Sequence, residues 1–156
     1  MFLFDQLRGL GAEVMEEYPR INQGGCCVFA SLVAQALERK EIPVRGIVCM
    51  FYVAKDLNVD EVRPKLADPG NPADWSYHGI YFNHVGVEFV YDHDDYHYDV
   101  ENLGHARPSL DTYNVIDGRL SVQELTWLAA RSEAWNSGFD RRGIPRIKRL
   151  VKKYLK

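Results

Sequence analysis

Apolar positions along the chain change their spacing several times, and each change marks an element. Phe4, Leu7, Leu10 or Gly11, and Val14 recur at helical spacing, predicting a helix over Phe2 to Glu17. Gly9 and Gly11 lower the intrinsic preference of that segment. Ala30, Val33, Ala34 and Leu37 fall at i, i+3, i+4 and i+7, predicting a second helix from about Gly25 to Lys40. Asn22, Gln23 and two glycines precede it, and Arg39, Lys40 and then Pro43 close it. Its small residues Ala30, Ala34 and Ala36 suit close packing of a central helix on a sheet. Ile47 to Ala54 is an unbroken apolar run of strand length, the pattern of an interior strand. Periodicity is then lost over Lys55 to Trp75, which holds Pro64, Pro69, Gly70 and Pro72 and reads as a loop or lid.

Strict alternation returns from Gly79 to Tyr91: Val85, Val87, Phe89 and Tyr91 share one face, and His84, Gly86 and Glu88 the other. Asp92 and its neighbours make a turn, and Tyr96 to Val100 form the partner strand. If the turn is centred between Asp92 and His93, Tyr91 pairs with Asp94 and Asp99 falls opposite Gly86. Asp99 is then diagonal to His84 on the same face, at roughly 7 to 8 Å between backbone positions. Gly86 would leave the space between them open. Ser121 to Trp135 reads as a helix opened by a capping box of Ser121 with Glu124. Over 139–156, Ile144, Ile147, Val151 and Tyr154 give an amphipathic basic helix. Helix, sheet and further helices make an α+β arrangement.

A chain of 156 residues with 46% hydrophobic content buries one core, and no repeat or Gly/Ser-rich linker divides it, so residues 1–156 read as a single domain. No stretch has the order of a secretory signal or the length of a membrane span, which points to a cytoplasmic protein. Cys26, Cys27 and Cys49 make no disulfide framework and fit a reducing compartment. Charge is uneven. Asp140 to Lys156 carries eight basic residues against one acid, leaving −10 for the rest of a chain whose total is −3. The leading expectation is that this basic helix packs on the acidic body; the weaker ones are an acidic partner, nucleic acid or an anionic membrane.

Cys26 and Cys27 open the second helix, where exposed N–H groups and the macrodipole favour a thiolate. The glycines before them would let a substrate backbone approach, and the cysteine N–H would face a developing oxyanion. Gln23 or Asn22 would supply a second donor. A nucleophilic cysteine needs a base and the base an orienting group, roles that His84 and Asp99 fit. Tyr91 to Asp99, with His93, His97 and four aspartates, invites a metal reading, but it lacks ordered ligand spacing and reads as a solvated turn. Neither a metal nor another cofactor is expected.

One register gathers these residues. Gly25 precedes Cys26; Phe29 and Ala30 follow at +3 and +4, and Ile42, Pro43 and Arg45 at +16, +17 and +19. Val87 and Glu88 follow His84 at +3 and +4, and Asp99 lies at +15. This resembles the transglutaminase-like branch of the papain-like cysteine enzymes, whose domains carry G-x-C-x-x-F-A, then I-P-x-R, then H-x-x-V-E and a later aspartate. The register runs from Cys26 and not from Cys27. The resemblance covers roughly Gly24 to Asp99 and implies a papain-like fold. It implies a triad of Cys26, His84 and Asp99 and acyl transfer from a protein or peptide amide through a thioester. Water would give hydrolysis and an amine cross-linking. The competing expectation is a binding or structural module that keeps the fold without turnover.

Overall fold

The computed structural model describes residues 2–53, 80–105, 118–130 and 139–156, with the side chains of 48–53, 80–83 and 118 left aside. Among these residues the chain forms four α-helices and a five-stranded antiparallel sheet. The helices are α1 (Leu3–Glu17), α2 (Cys26–Arg39), α3 (Val122–Ala130) and α4 (Ile144–Tyr154), the last entered through a 3₁₀ turn at Arg141–Gly143. The strands are β1 (Val44–Val53), β2 (Ile80–Tyr91), β3 (Asp94–Tyr98), β4 (Leu103–Gly104) and β5 (Gly118–Leu120), in the order β4-β3-β2-β1-β5. The α+β expectation holds. The Lys55 to Trp75 segment lies outside the described residues, as does the end of the expected third helix beyond Ala130.

Helix α2 is the centre of the helical layer and packs on β1 and β2, on α3 and on α4. Ten of its fourteen residues are buried, so its small alanines let neighbours approach on several sides. Val85, Val87 and Phe89 of β2 and Tyr98 of β3 face this layer and join the same core as Leu7, Leu10, Val33, Leu37, Leu125 and Ile147. Each such fully buried side chain contributes roughly 1.5–3 kcal/mol of transfer free energy. The Tyr98 hydroxyl donates to the Leu7 carbonyl at 2.7 Å, fastening α1 to the sheet.

The two glycines of α1 do not break it, because both are points of close approach. A Cβ at Gly9 would stand 2.7 Å from the Tyr154 ring, and one at Gly11 would stand 2.6 Å from the Val100 carbonyl oxygen. Strand β1 begins three residues before the apolar run, at Val44, and lies between β2 and β5, the interior position its pattern predicts. The β2–β3 turn has Asp92 and His93 at φ 51° and 70°, the two positive values of a type I′ hairpin. Tyr91 pairs with Asp94 and Val87 with Tyr98, which is the register read from the sequence. The α3 capping box is formed: Ser121 N–H donates to Glu124 Oε2 at 2.8 Å, and Glu124 N–H to Ser121 Oγ at 3.1 Å.

The basic helix packs on acidic α1. Arg146 binds Glu17 through Nε and Nη2 at 2.9 and 2.5 Å, and Lys153 Nζ and the Tyr154 hydroxyl each donate to Glu13 at 2.6 Å. No helix among the described residues is long and apolar enough to cross a membrane.

Candidate active site

The β2–β3 ladder ends at Val87 and Tyr98, and the chain then leaves the sheet in a tight turn. Asp99 makes that turn: its Oδ1 accepts the N–H groups of Glu101 and Asn102, both at 2.8 Å, and the Asn102 side-chain amide at 3.1 Å. Its own N–H is donated to the Asn102 carbonyl at 2.9 Å. An aspartate with Oδ1 committed to its own turn is rigid, and Oδ2 is left to face β2. There it meets His84 Nε2 at 2.9 Å.

Beyond the end of that ladder, β2 meets the first turn of α2. The Val85 N–H, beyond the end of the β3 ladder, hydrogen-bonds the Cys26 sulfur. The His84 ring hydrogen-bonds the same sulfur. Cys26, His84 and Asp99 are thus brought together.

Electrostatics follow from this geometry. The Cys27 thiol hydrogen-bonds the Cys26 sulfur; with the His84 and Val85 contacts this outweighs burial and holds the Cys26 thiol well below its usual range. Cys27 is pushed the opposite way, by that same bond and by its burial. For His84, burial disfavours the cation, but the bonds to Asp99 and Cys26 overcome it and raise its pKa to about 10. Burial likewise opposes ionisation of Asp99, and the bonds from His84 and the turn N–H groups win, keeping it well below the usual carboxylate range. The geometry thus favours the anion of Cys26, the cation of His84 and the anion of Asp99. Such a group can attack a carbonyl carbon and return a proton to the leaving atom. The Cys26 residue is 7% exposed and Cys27 3%, so the thiol pushed toward its anion is also the more accessible of the pair.

Two expectations about glycine need correction. The space over Gly86 is filled: a Cβ there would stand 2.7 Å from His97 Cε1 and 3.0 Å from His97 Nε2. The glycine makes room for a second histidine, which is 2% exposed and sits with Nε2 3.5 Å from Asp99 Oδ2. That distance is too long for a normal hydrogen bond, and neither His97 nitrogen has a hydrogen-bond partner. Gly25 likewise serves packing and not substrate approach, since its Cβ would stand 2.8 Å from Ile21 and from Phe139. Gly24, at φ 110°, supplies the backbone conformation that leads into α2.

Asn22 and Gln23 stand in the turn before α2, half-buried and exposed respectively, while the groups holding the sulfur are Cys27, His84 and Val85. Sequence reasoning missed Cys27 as a donor, treating it only as a rival. It also missed His97 and Asn102. Alternation with Asp99 would have placed His97 on the triad face, and the Asp-x-x-Asn spacing signals a side-chain-closed turn. Among the described residues, no group of three or more His, Cys, Asp or Glu side chains is arranged to hold a metal. Behind Gly86, Arg45 and Glu88 pair directly across β1 and β2, and Arg45 Nε donates to Glu88 Oε1 at 2.6 Å. These are the arginine of the I-P-x-R segment and the glutamate four positions after His84.

Compared with protein-family models, curated protein sequences and solved structures, the chain gives no match in any of the three.

Proposed function

We propose that the protein is a cysteine-dependent acyl-transfer enzyme, an amide hydrolase or acyltransferase of transglutaminase-like, papain-like type. The observation that carries this is His84, hydrogen-bonded on one side to the Cys26 sulfur and on the other to Asp99 at 2.9 Å. The Arg45–Glu88 pair adds support, because it joins two segments of the shared sequence register across the sheet. The Cys26 thiolate attacks the carbonyl carbon of a protein or peptide amide, and the carbonyl electron pair moves to oxygen. The Cys26 N–H in the first turn of α2, with Gln23 or Asn22, meets that oxyanion. Collapse expels the amine, which takes its proton from His84 and leaves a thioester. His84, now neutral, accepts a proton from water or from an acceptor amine as either attacks the thioester, and the C–S bond then breaks, releasing the acid or new amide and returning the Cys26 thiolate beside protonated His84. Asp99 holds the ring throughout. This chemistry draws on no cofactor.

A second reading, a binding module that keeps the triad without turnover, is favoured by the 7% exposure of Cys26. Timed iodoacetamide labelling of the folded protein near neutral pH, mapped by peptide mass spectrometry, separates the two. The enzyme reading expects Cys26 to label before Cys27 and Cys49, and His84→Ala to slow it. Equal, slow labelling of all three thiols would sink it.

A further inference from the structure

A second site lies at the far end of α2, where it meets α4. A groove of about 500 Å³ runs between the two helices. Its rim carries Arg39 and Lys40 from the end of α2, and Lys148, Lys152 and Lys156 from α4 and the residues after it. Its walls include Leu32, Val151 and Leu155, of which Leu32 is only half-buried. No acidic side chain lines it: Glu38 and Glu41 flank the two α2 cations in sequence but stand outside the groove.

The contrast with the other flank of α4 is informative. There Arg146 and Lys153 are neutralised by Glu17 and Glu13 of α1, and Arg142 pairs with Asp140 next to it. Among the described residues, no acid pairs with Lys148 or Lys152. The chain has thus matched its own acids to one side of the helix and gathered cations on the other. Lys40 Nζ donates to the Lys156 carbonyl oxygen across the groove, but the cations around it still repel one another, and a row of carboxylates laid along Lys148 and Lys152 would relieve that repulsion.

We infer that this groove docks an acidic, amphipathic helical segment of a partner protein. Lys148 and Lys152 are one turn apart, so they present charge at the spacing at which glutamates recur along a facing helix. The cleft between two helices admits such a segment with an apolar residue against Leu32. A long polyanion fits less well. The positive field is local, and the rest of the chain carries −10 and repels an extended nucleic acid. The site is one helix length away from Cys26 and stands apart from the acyl-transfer reading.

Fluorescence anisotropy tests it with a labelled synthetic peptide of about 16 residues, long enough to form a helix, with glutamates four apart and leucines on the adjoining face. A scrambled peptide of the same composition and a single-stranded DNA of equal charge are the comparators. The ordered peptide is expected to bind on the order of tenfold tighter than the scrambled one, and to weaken as salt is raised. Lys148→Glu with Lys152→Glu abolishes that binding, whereas Arg149→Glu, exposed on α4 but outside the groove, retains it. Circular dichroism confirms that each variant is folded before it is used. Equal binding of the scrambled peptide, tighter binding of the DNA, or equal damage from Arg149→Glu would each overturn the proposal.

Discussion

The two ends of α2 treat charge in opposite ways. At its first turn the titratable groups are few and enclosed, and each favours the charged form of the next: Cys26, His84 and Asp99. At its last turn Arg39 and Lys40 join three lysines around an open groove. The helix dipole favours both, an anion at the N-terminus and cations at the C-terminus. What separates them is water. An enclosed pair resets the protonation of its members, while exposed pairs are screened and add little. The first end is therefore built to hold an unusual protonation state, and the second to offer charge outward.

The sharpest way to break that contrast is to remove Asp99. Asp99→Ala leaves His84 without its carboxylate and undoes the turn after β3, and loss of one member of a buried pair costs about 3–5 kcal/mol. Urea denaturation is expected to register a loss of that size, with slower Cys26 labelling at neutral pH. A wild-type unfolding curve would mean that the turn is held by something else. A smaller effect is expected at Gly86, where the added methyl of Gly86→Ala meets the His97 ring. Overpacking of this kind costs about 1–3 kcal/mol, and adding His97→Ala should recover much of it. If the double variant is no more stable than Gly86→Ala alone, the two residues are not in the contact described. The smallest effect belongs to the exposed set. Glu17→Gln, which breaks the pair with Arg146, is expected to leave the urea midpoint unchanged within error, and a clear drop would show that this surface pair is not fully screened.

The sequence carried more of the site than of the fold around it. Helical spacing placed α2, strict alternation placed His84, and the Asp92–His93 turn set the register that brings Asp99 to it, because local geometry determines all three. Strands β4 and β5 were not legible: at two and three residues they have no period, and only pairing with β3 and β1 defines them. The glycines misled in both directions. Gly9 and Gly11 counted against α1, Gly25 seemed to leave space for a substrate, and Gly86 seemed to leave the space between His84 and Asp99 open. Each is small because another part of the chain presses against it, and sequence spacing does not record that contact. The same limit hid the contact of His97 with Gly86, although alternation puts His97 on the face of Asp99.

The central claim is that Cys26 and His84 form an ion pair oriented by Asp99. The most direct test is the rate of Cys26 alkylation against pH, in the wild-type protein and in His84→Ala. A lowered thiol pKa means that the thiolate persists as pH falls below the ordinary thiol range; a raised histidine pKa means that the cation persists as pH rises, up to about 10. The wild-type protein should therefore react across the whole neutral range with a further rise near pH 10. In His84→Ala that neutral plateau should be lost, with reactivity appearing only as an ordinary thiol ionises. A wild-type profile with a single step near about 8.5, the value of a free thiol, and unchanged by His84→Ala, would contradict the account.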